Sequence, residues 1–100
     1  MAKGYWIAHV DVKNEDGFKP YAEANAAIFK KFGARYVVRG GKFEGMEGSS
    51  RSRNVVIEFK DYATAMACYH SPEYQENIRR RQPHSTADLI VIEGYDGPQP

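Results

Sequence analysis

The chain has almost no cysteine, no long apolar run and no excess of charge of either sign. Its single cysteine, Cys68, excludes an internal disulfide and a zinc site built from several cysteines. The longest apolar runs, such as LIVI at 89–92, fall far short of the ~18 residues that identify a membrane-spanning helix. The first residues also lack the apolar core of a signal peptide. We therefore expect no membrane partner and a protein of the cytoplasm, where a lone thiol stays reduced.

The near-balance of charge argues against nucleic-acid binding. Fourteen lysines and arginines stand against thirteen aspartates and glutamates, which gives a net charge of +1. Binding that depends on neutralising phosphates normally needs a clear excess of basic residues. The stretch RNVVIEF (53–59) also lacks the glycines and aromatics with which RNA-recognition sheets stack bases. No nucleic-acid partner is expected.

The histidines do not form a recognisable metal site. His9, His70 and His84 lie on different predicted elements, and no two have the i, i+4 spacing of a helical metal site. Cys68 and His70 are two residues apart, so they would not face each other on a helix. We expect no metal and no cofactor.

Alternation and helical spacing of apolar residues divide the chain into strands and helices. The predicted strands are YWIAHVDV (5–12), ARYVVRG (34–40), RNVVIEF (53–59) and ADLIVIEGY (87–95). The predicted helices are NEDGFKPYAEANAAIFKKFG (14–33), YATAMACYH (62–70) and SPEYQENIRRR (71–81). Asp61 and Ser71 are natural helix caps, which predicts a second helix broken near His70. Pro20 is compatible with the first helix only in its first turn.

The order β-α-β-β-α-β predicts an α+β, ferredoxin-like fold. Right-handed crossovers give an antiparallel sheet of order 4-1-3-2, with the helices on one face. We expect one domain over residues 1–97 and a flexible tail at 98–100. The other sheet face would expose Tyr5, Ile7 and Val56, and such apolar surface usually marks an interaction site. Two copies could cover it by pairing face to face, so we expect a homodimer.

The stretch RGGKFEGMEG (39–48) holds four glycines in ten residues. A phosphate-binding P-loop would need a Lys-Ser/Thr step followed by a helix, and here the next element is a strand. The pattern indicates a long hairpin over residues 40–52. This hairpin would cover either the mouth of a pocket or the partner subunit.

Three polar residues on predicted neighbouring strands are candidates for a ligand site. If the first strand turns its polar face to the helices, His9, Arg39 and Glu58 would converge and could bind an anion or move a proton. The alternative is a cross-strand ion pair between Arg39 and Glu58 beside a buried His9. A register error of one residue would send these side chains to opposite faces.

The helix break and the basic helix end give three further ligand candidates. Tyr69 and Tyr74 flank the break and would either line a pocket or simply pack. Arg81 would either reach the pocket and hold a carboxylate or phosphate, or remain solvated at the helix end, where its charge complements the helix dipole.

Three segments of the chain together resemble the domain-of-unknown-function 1330 family. They are YVVRGGKFEGMEG (36–48), RNVVIEFKDYATAMACYHSPEYQ (53–75) and ADLIVIEGYDG (87–97). The positions that match the family pattern are Arg39, Gly40, Gly41, Arg53, Glu58, Phe59, Tyr69, Ser71, Pro72, Glu73, Tyr74 and Arg81. The resemblance implies a dimeric α/β barrel, a fold shared with cofactor-independent monooxygenases and other small enzymes, and it implies no particular activity.

Two functions remain open at this point. The first is a homodimer that binds a small organic ligand, anionic or aromatic, in a pocket between sheet and helices, as a cofactor-independent enzyme or as a binding protein. The second is a non-catalytic structural, interaction or stress-related module whose sheet face only dimerises. An enclosed cavity lined by polar groups would favour the first.

Overall fold

The computed structural model describes residues 2–100. The strands are β1 (Gly4–Val12), β2 (Arg35–Arg39), β3 (Arg53–Phe59) and β4 (Ser85–Glu93), and the helices are α1 (Glu15–Lys31), α2 (Tyr62–His70) and α3 (Pro72–Arg81). A single 3-10 turn, Gln82–His84, precedes β4. The predicted element order is confirmed. No helix of the described residues is long and apolar enough to span a membrane.

The strands form one sheet in the order β2-β3-β1-β4 with antiparallel neighbours. This is the predicted order 4-1-3-2 counted from the opposite edge. Trp6 of β1 packs against Phe29 of α1, Tyr69 of α2 and Tyr74 of α3. All three helices therefore cover the sheet face that carries Trp6, and the core lies between them. We call this the covered face and the other the open face.

The first helix begins at Glu15, five residues before its proline, Pro20. The Asn14 side chain accepts a hydrogen bond from the backbone N of Gly17, which fixes the start of α1 at Glu15. Pro20 consequently lies in the second turn, and the expectation that it belongs to the first was wrong. The helix accepts one missing backbone hydrogen bond because its apolar side, including Phe18 and Phe29, is buried against the sheet.

Ser71 forms the break between the second and third helices. Its buried hydroxyl donates to the backbone O of Cys68 at 2.7 Å and accepts from the backbone N of Tyr74 at 3.2 Å. One side chain thus ends α2 and caps α3, with Pro72 as the first residue of the new helix. This matches the start signal read from the sequence.

The open face carries an apolar row that crosses all four strands. Ile7 is the register partner of both Val56 and Ile90, and Val56 is the partner of Val38. Ile90 and Val38 are 53% and 39% exposed, whereas Ile7 and Val56 are partly covered by their neighbours. No helix covers this row, so it remains available to a partner.

Residues 41–52 contain neither helix nor strand, and nearly all of them are exposed. The segment returns to the sheet through Arg51, which forms ion pairs with Asp11 and Asp88 at 2.8 Å each. Its apolar side chains Phe43 and Met46 are 46% and 82% exposed. The hairpin is thus held to the sheet at Arg51, near its C-terminal end, whereas its other side chains are exposed to solvent.

Candidate ligand-binding pocket

A cavity of about 50 Å³ lies between the covered face of the sheet and α1. Its apolar lining residues are Trp6, Ala8, Val10, Phe18, Ala22, Phe29, Val55, Ile57 and Leu89. Its polar lining residues are Tyr21, Asn25, Tyr36, Arg39 and Arg53. An apolar cavity with a few convergent polar groups is the usual form of a small-molecule site. In this conformation it has room for only on the order of three water molecules.

Two arginines stand at the mouth of this cavity. Arg39 is the register partner of Val55, whose side chain is in the core, so Arg39 projects on the covered face. Arg53 precedes Val55 by two residues and lies on the same face, because side chains alternate along a strand. The guanidinium Cζ of Arg39 lies 4.4 Å from the centroid of the Tyr36 ring. Arg39 therefore rests on an aromatic side chain that also lines the cavity.

The glycine after Arg39 makes room for the second guanidinium. Gly40 has a φ of 62°, and a Cβ at this position would lie 3.2 Å from a terminal nitrogen of Arg53. Its backbone N also donates to the backbone O of Asn54 at 2.9 Å. The positive φ favours glycine at this position, and a Cβ would also make a tight contact with the Arg53 guanidinium.

Neither mouth arginine forms an ion pair with a carboxylate of residues 2–100. Within residues 2–100, the ion pairs at 4.0 Å or less include neither Arg39 nor Arg53, although Glu15 and Asp16 share a neighbouring groove with Arg53. Two guanidiniums without a fixed counter-ion, at the edge of an apolar cavity, favour an anionic group on a bound molecule.

Tyr36 connects the mouth to the inner wall. Burial raises the pKa of its hydroxyl, the charges of Arg39 and Arg53 act in the opposite direction, and Tyr21 adds to the increase. Tyr21, Tyr36, Arg39 and Arg53 also line the same cavity, so the mouth and the Tyr21 wall are parts of one site.

The inner wall ends in a pair of tyrosine hydroxyls. The hydroxyl oxygens of Tyr21 and Tyr74 lie 2.7 Å apart, and Tyr74 is completely buried. Burial, together with the neighbouring Tyr21, raises the pKa of Tyr74, so it stays protonated. The Arg81 guanidinium lies over the Tyr21 ring, 5.6 Å from Cζ to the centroid. Burial alone would lower the pKa of Arg81, but the two tyrosine oxygens raise it.

Two buried asparagines hold α1 and α3 together behind this wall. Asn77 donates through Nδ2 to the Asn25 Oδ1 at 2.9 Å and to the backbone O of Tyr21 at 3.1 Å. Its own Oδ1 accepts from Arg80 at 3.0 Å. The network positions Tyr21 and the Asn25 amide at the cavity, because both are fixed through the fully buried Asn77.

The six site residues predicted from sequence are divided between two faces. Arg39 lines the cavity, and Tyr74 and Arg81 contact its Tyr21 wall from behind. Tyr69 packs with its ring against Trp6 and Tyr74, at centroid distances of 5.9 and 5.5 Å. These four residues lie on the covered side of the sheet.

His9 and Glu58 lie on the open face and do not join Arg39. Because Trp6, Ala8 and Val10 of β1 are buried, the intervening His9 points away from the helices, and its Nδ1 lies 2.6 Å from Oδ1 of Asn54. Glu58 accepts a hydrogen bond from Nε of Arg35 at 2.9 Å. The expected convergence of His9, Arg39 and Glu58 is therefore absent, and so is the alternative Arg39–Glu58 ion pair.

A β-bulge in β2 explains why Arg39 lies on the face opposite to His9 and Glu58. The register of β2 and β3 shifts between Tyr36 and Val38, so one extra residue is inserted into β2. Arg35 and Arg39 are four residues apart and would share a face in a regular strand. The bulge instead places Arg35 on the open face beside Glu58 and Arg39 on the covered face.

Sequence patterns alone do not identify every residue of the cavity. Tyr21 falls at the spacing of the apolar side of α1, Tyr36 belongs to no motif, and Arg53 matches only the family pattern. Asn25 carried the clearest available signal. It falls seven residues after Phe18 and four before Phe29, both buried, so it is a polar residue on the apolar side of a helix.

The described residues offer neither a cluster that could bind a metal ion nor a reactive thiol. Within residues 2–100, no group of three or more His, Cys, Asp or Glu side chains could hold a metal ion. Burial raises the pKa of the Cys68 thiol to about 12, which keeps it protonated and unreactive.

The fold is shared with several solved structures of low sequence identity. A protein of unknown function from Rhodopseudomonas palustris has a TM-score of 0.72 at 15% identity, covering 96% of this chain and 85% of that one. SnoaB, a cofactor-independent oxygenase from Streptomyces nogalater, has a TM-score of 0.65 at 12% identity, with 97% of each chain covered. A dimeric ferredoxin-like protein of unknown function from Thermobifida fusca has a TM-score of 0.58 at 12% identity, covering 91% and 92%. The ferredoxin-like fold is therefore confirmed.

Sequence comparison gives the family but no characterised relative. No curated protein matches the chain. The model of the domain of unknown function DUF1330 matches residues 3–95, nearly the whole sequence. The chain belongs to the DUF1330 family.

Proposed function

We propose that this protein is a homodimer that binds a small organic anion with a planar, apolar body in the cavity between sheet and helices. One observation carries the proposal: Arg39 and Arg53, neither paired with a carboxylate within the described residues, stand at the mouth of a cavity with apolar walls. A carboxylate suits the planar fork of a guanidinium, and the apolar walls suit a ring.

The cavity must open to admit such a ligand. Its 50 Å³ is well below the roughly 300 Å³ or more of ordinary ligand sites. Arg39 is exposed and rests on Tyr36, so its side chain can move without unpacking the core. A planar ligand would replace Arg39 on the Tyr36 ring, and the guanidinium would then close over the ligand's acid group.

Catalysis without a cofactor is the second candidate. The fold shared with a cofactor-independent oxygenase is only an analogy. A more specific support is the Tyr21–Tyr74 hydroxyl pair beside Arg81, since hydroxyl groups at a cavity wall can take part in proton transfer.

Two copies of the chain would form the homodimer by pairing through their open faces. The apolar row Val38, Val56, Ile7 and Ile90 gives a two-fold partner a continuous surface. If this pairing were the only function, a dimer would form and no ligand would bind. The cytoplasmic location stays a prediction.

The proposal is tested by measuring the binding of benzoate, with benzamide as an uncharged control of the same shape. Isothermal titration calorimetry and thermal shift should detect benzoate and not benzamide. Arg39→Gln should weaken benzoate about tenfold or more, because it removes a hydrogen bond to a charged group. Arg79→Gln is the matched control, since Arg79 is an exposed arginine on α3 that does not line the cavity.

Two results would contradict the proposal. One is the absence of any binding by benzoate and by smaller acids such as pyruvate. The other is benzoate binding that is equally strong in Arg39→Gln and the wild type. Either would leave the dimeric interaction module as the remaining function.

A further inference from the structure

We infer that Tyr21 donates a hydrogen bond to a second oxygen of the ligand, so the cavity selects acids that carry a carbonyl or oxyanion at the end opposite the carboxylate. The inference rests on the proposed function and narrows the ligand to oxo acids and phenolic acids.

The direction of the hydroxyl pair follows from burial. Tyr74 is completely buried, and the Tyr21 oxygen at 2.7 Å is the acceptor available to its hydroxyl. If Tyr21 donated to Tyr74 instead, the Tyr74 proton would be a buried donor without an acceptor, which is costly. Tyr74 therefore donates to Tyr21, and the Tyr21 hydroxyl keeps its own proton for another partner.

The Arg81 guanidinium adds a positive charge beside the hydroxyl pair, with its Cζ 5.6 Å from the centroid of the Tyr21 ring. Arginine can only donate hydrogen bonds, so its charge attracts the oxygen lone pairs and not the protons. This charge makes the Tyr21 hydroxyl a stronger donor. Tyr21 lines the cavity, and its free proton would stabilise negative charge on a ligand oxygen.

Tyr21, Tyr36, Arg39 and Arg53 all line the same small cavity, so a ligand of about one ring could contact the arginines and Tyr21 together. The Tyr36 ring lies beside Arg39, whose Cζ is 4.4 Å from the ring centroid. A ligand lying on Tyr36 would thus place its acid group at the arginines and its other end near Tyr21. Asn25 lies on the same wall and contributes a second polar group.

The test compares a carbonyl-bearing acid with an apolar acid of similar shape. The probes are 3- and 4-formylbenzoate and the corresponding methylbenzoates, titrated by calorimetry. The wild type should prefer one formyl isomer over its methyl counterpart about fivefold, the usual effect of one hydrogen bond. Tyr21→Phe should abolish this preference without abolishing methylbenzoate binding, and the exposed Tyr62→Phe should retain it.

Tyr74→Phe provides a second, independent variant. It keeps the Tyr21 hydroxyl but removes the donor that orients it, so the formyl preference should fall without disappearing. If Tyr21→Phe does not fold, the comparison of Tyr74→Phe with the wild type decides the question.

The titrations show separately whether the inference or the proposed function is wrong. If methyl- and formylbenzoate bind equally, or if the preference survives both substitutions, Tyr21 is not a donor to the ligand although the anion pocket stands. If none of the acids binds, the anion pocket is wrong and the inference falls with it.

Discussion

The indole nitrogen of Trp6 donates a hydrogen bond to the backbone O of Ala65 at 2.9 Å, which ties the first strand to the second helix. Trp6 is 1% exposed, and its ring also contacts Phe29, Phe59 and Tyr74. A residue near the start of the chain thus joins the sheet to every helix.

Trp6→Phe should destabilise the protein by about 2 kcal/mol. Of this, about 1 kcal/mol is the lost hydrogen bond, which leaves the Ala65 carbonyl without its partner, and the rest is the space left by the smaller ring. Urea unfolding followed by circular dichroism measures the change. Tyr62→Phe, at an exposed aromatic, is the control and should be near neutral. Equal stability of Trp6→Phe and wild type would refute this account of the core.

Gly4→Ala should cost about 1–3 kcal/mol because β1 touches the start of α2 at this residue. A Cβ on Gly4 would lie 2.6 Å from the carbonyl carbon of Asp61 and 2.8 Å from Cα of Tyr62, both backbone atoms that cannot rotate away. Gly41→Ala is the matched control, since a Cβ there meets nothing within 4 Å. Urea unfolding followed by circular dichroism compares both variants, and equal unfolding free energies would contradict the expected clash.

Ile90→Lys should convert the proposed dimer into a monomer. Ile90 ends the apolar row on the open face, and an unpaired lysine buried in a face-to-face interface would cost about 3 kcal/mol or more, over a hundredfold in the dissociation constant. Size-exclusion chromatography with light scattering at micromolar concentration measures the mass. Tyr62→Lys, at an exposed aromatic on α2, should remain dimeric.

Met46→Lys distinguishes the two possible roles of the hairpin within the same experiment. A monomeric mass would indicate that the hairpin contacts the partner subunit. An unchanged dimeric mass would indicate that it does not. A wild-type protein that is monomeric at micromolar concentration would contradict the dimer itself.

Acid should remove part of the stability that Asp61 provides as a helix cap. Hydrogen bonds from the side chain and the backbone of Thr64 lower the pKa of Asp61 in the folded state. A carboxyl with a lowered folded pKa stabilises the protein above its unfolded pKa of about 3.9 and loses this effect as pH falls through the folded value. Asp61→Asn keeps a capping oxygen that does not titrate.

The difference in unfolding free energy between wild type and Asp61→Asn should therefore shrink between pH 6 and pH 3. Urea unfolding at both pH values, at one protein concentration, measures it. Glu44→Gln, in the exposed hairpin, controls for the loss of one negative charge. A constant difference across this range would show that the cap does not depend on ionisation of Asp61.

Local signals in the sequence were enough to identify the elements and their order. Alternation placed Trp6, Ala8 and Val10 on one side of β1, and the capping preferences of Asp61 and Ser71 located both helices of the second crossover. The strand order then followed, because right-handed crossovers leave few topologies open to a β-α-β-β-α-β chain. These features depend on short-range patterns along the chain, so they can be predicted without the tertiary structure.

The site depended on relations that no local pattern carries. The bulge between Tyr36 and Val38 sends Arg39 to the covered face, and strand periodicity gives no warning of one inserted residue. The pairing of Tyr21 with Tyr74 joins residues separated by 53 positions, and it exists only because α1 packs against α3. The sequence supplies the arginines and tyrosines, whereas tertiary packing places Arg39, Arg53 and Tyr21 around one cavity and leaves His9 and Glu58 outside it.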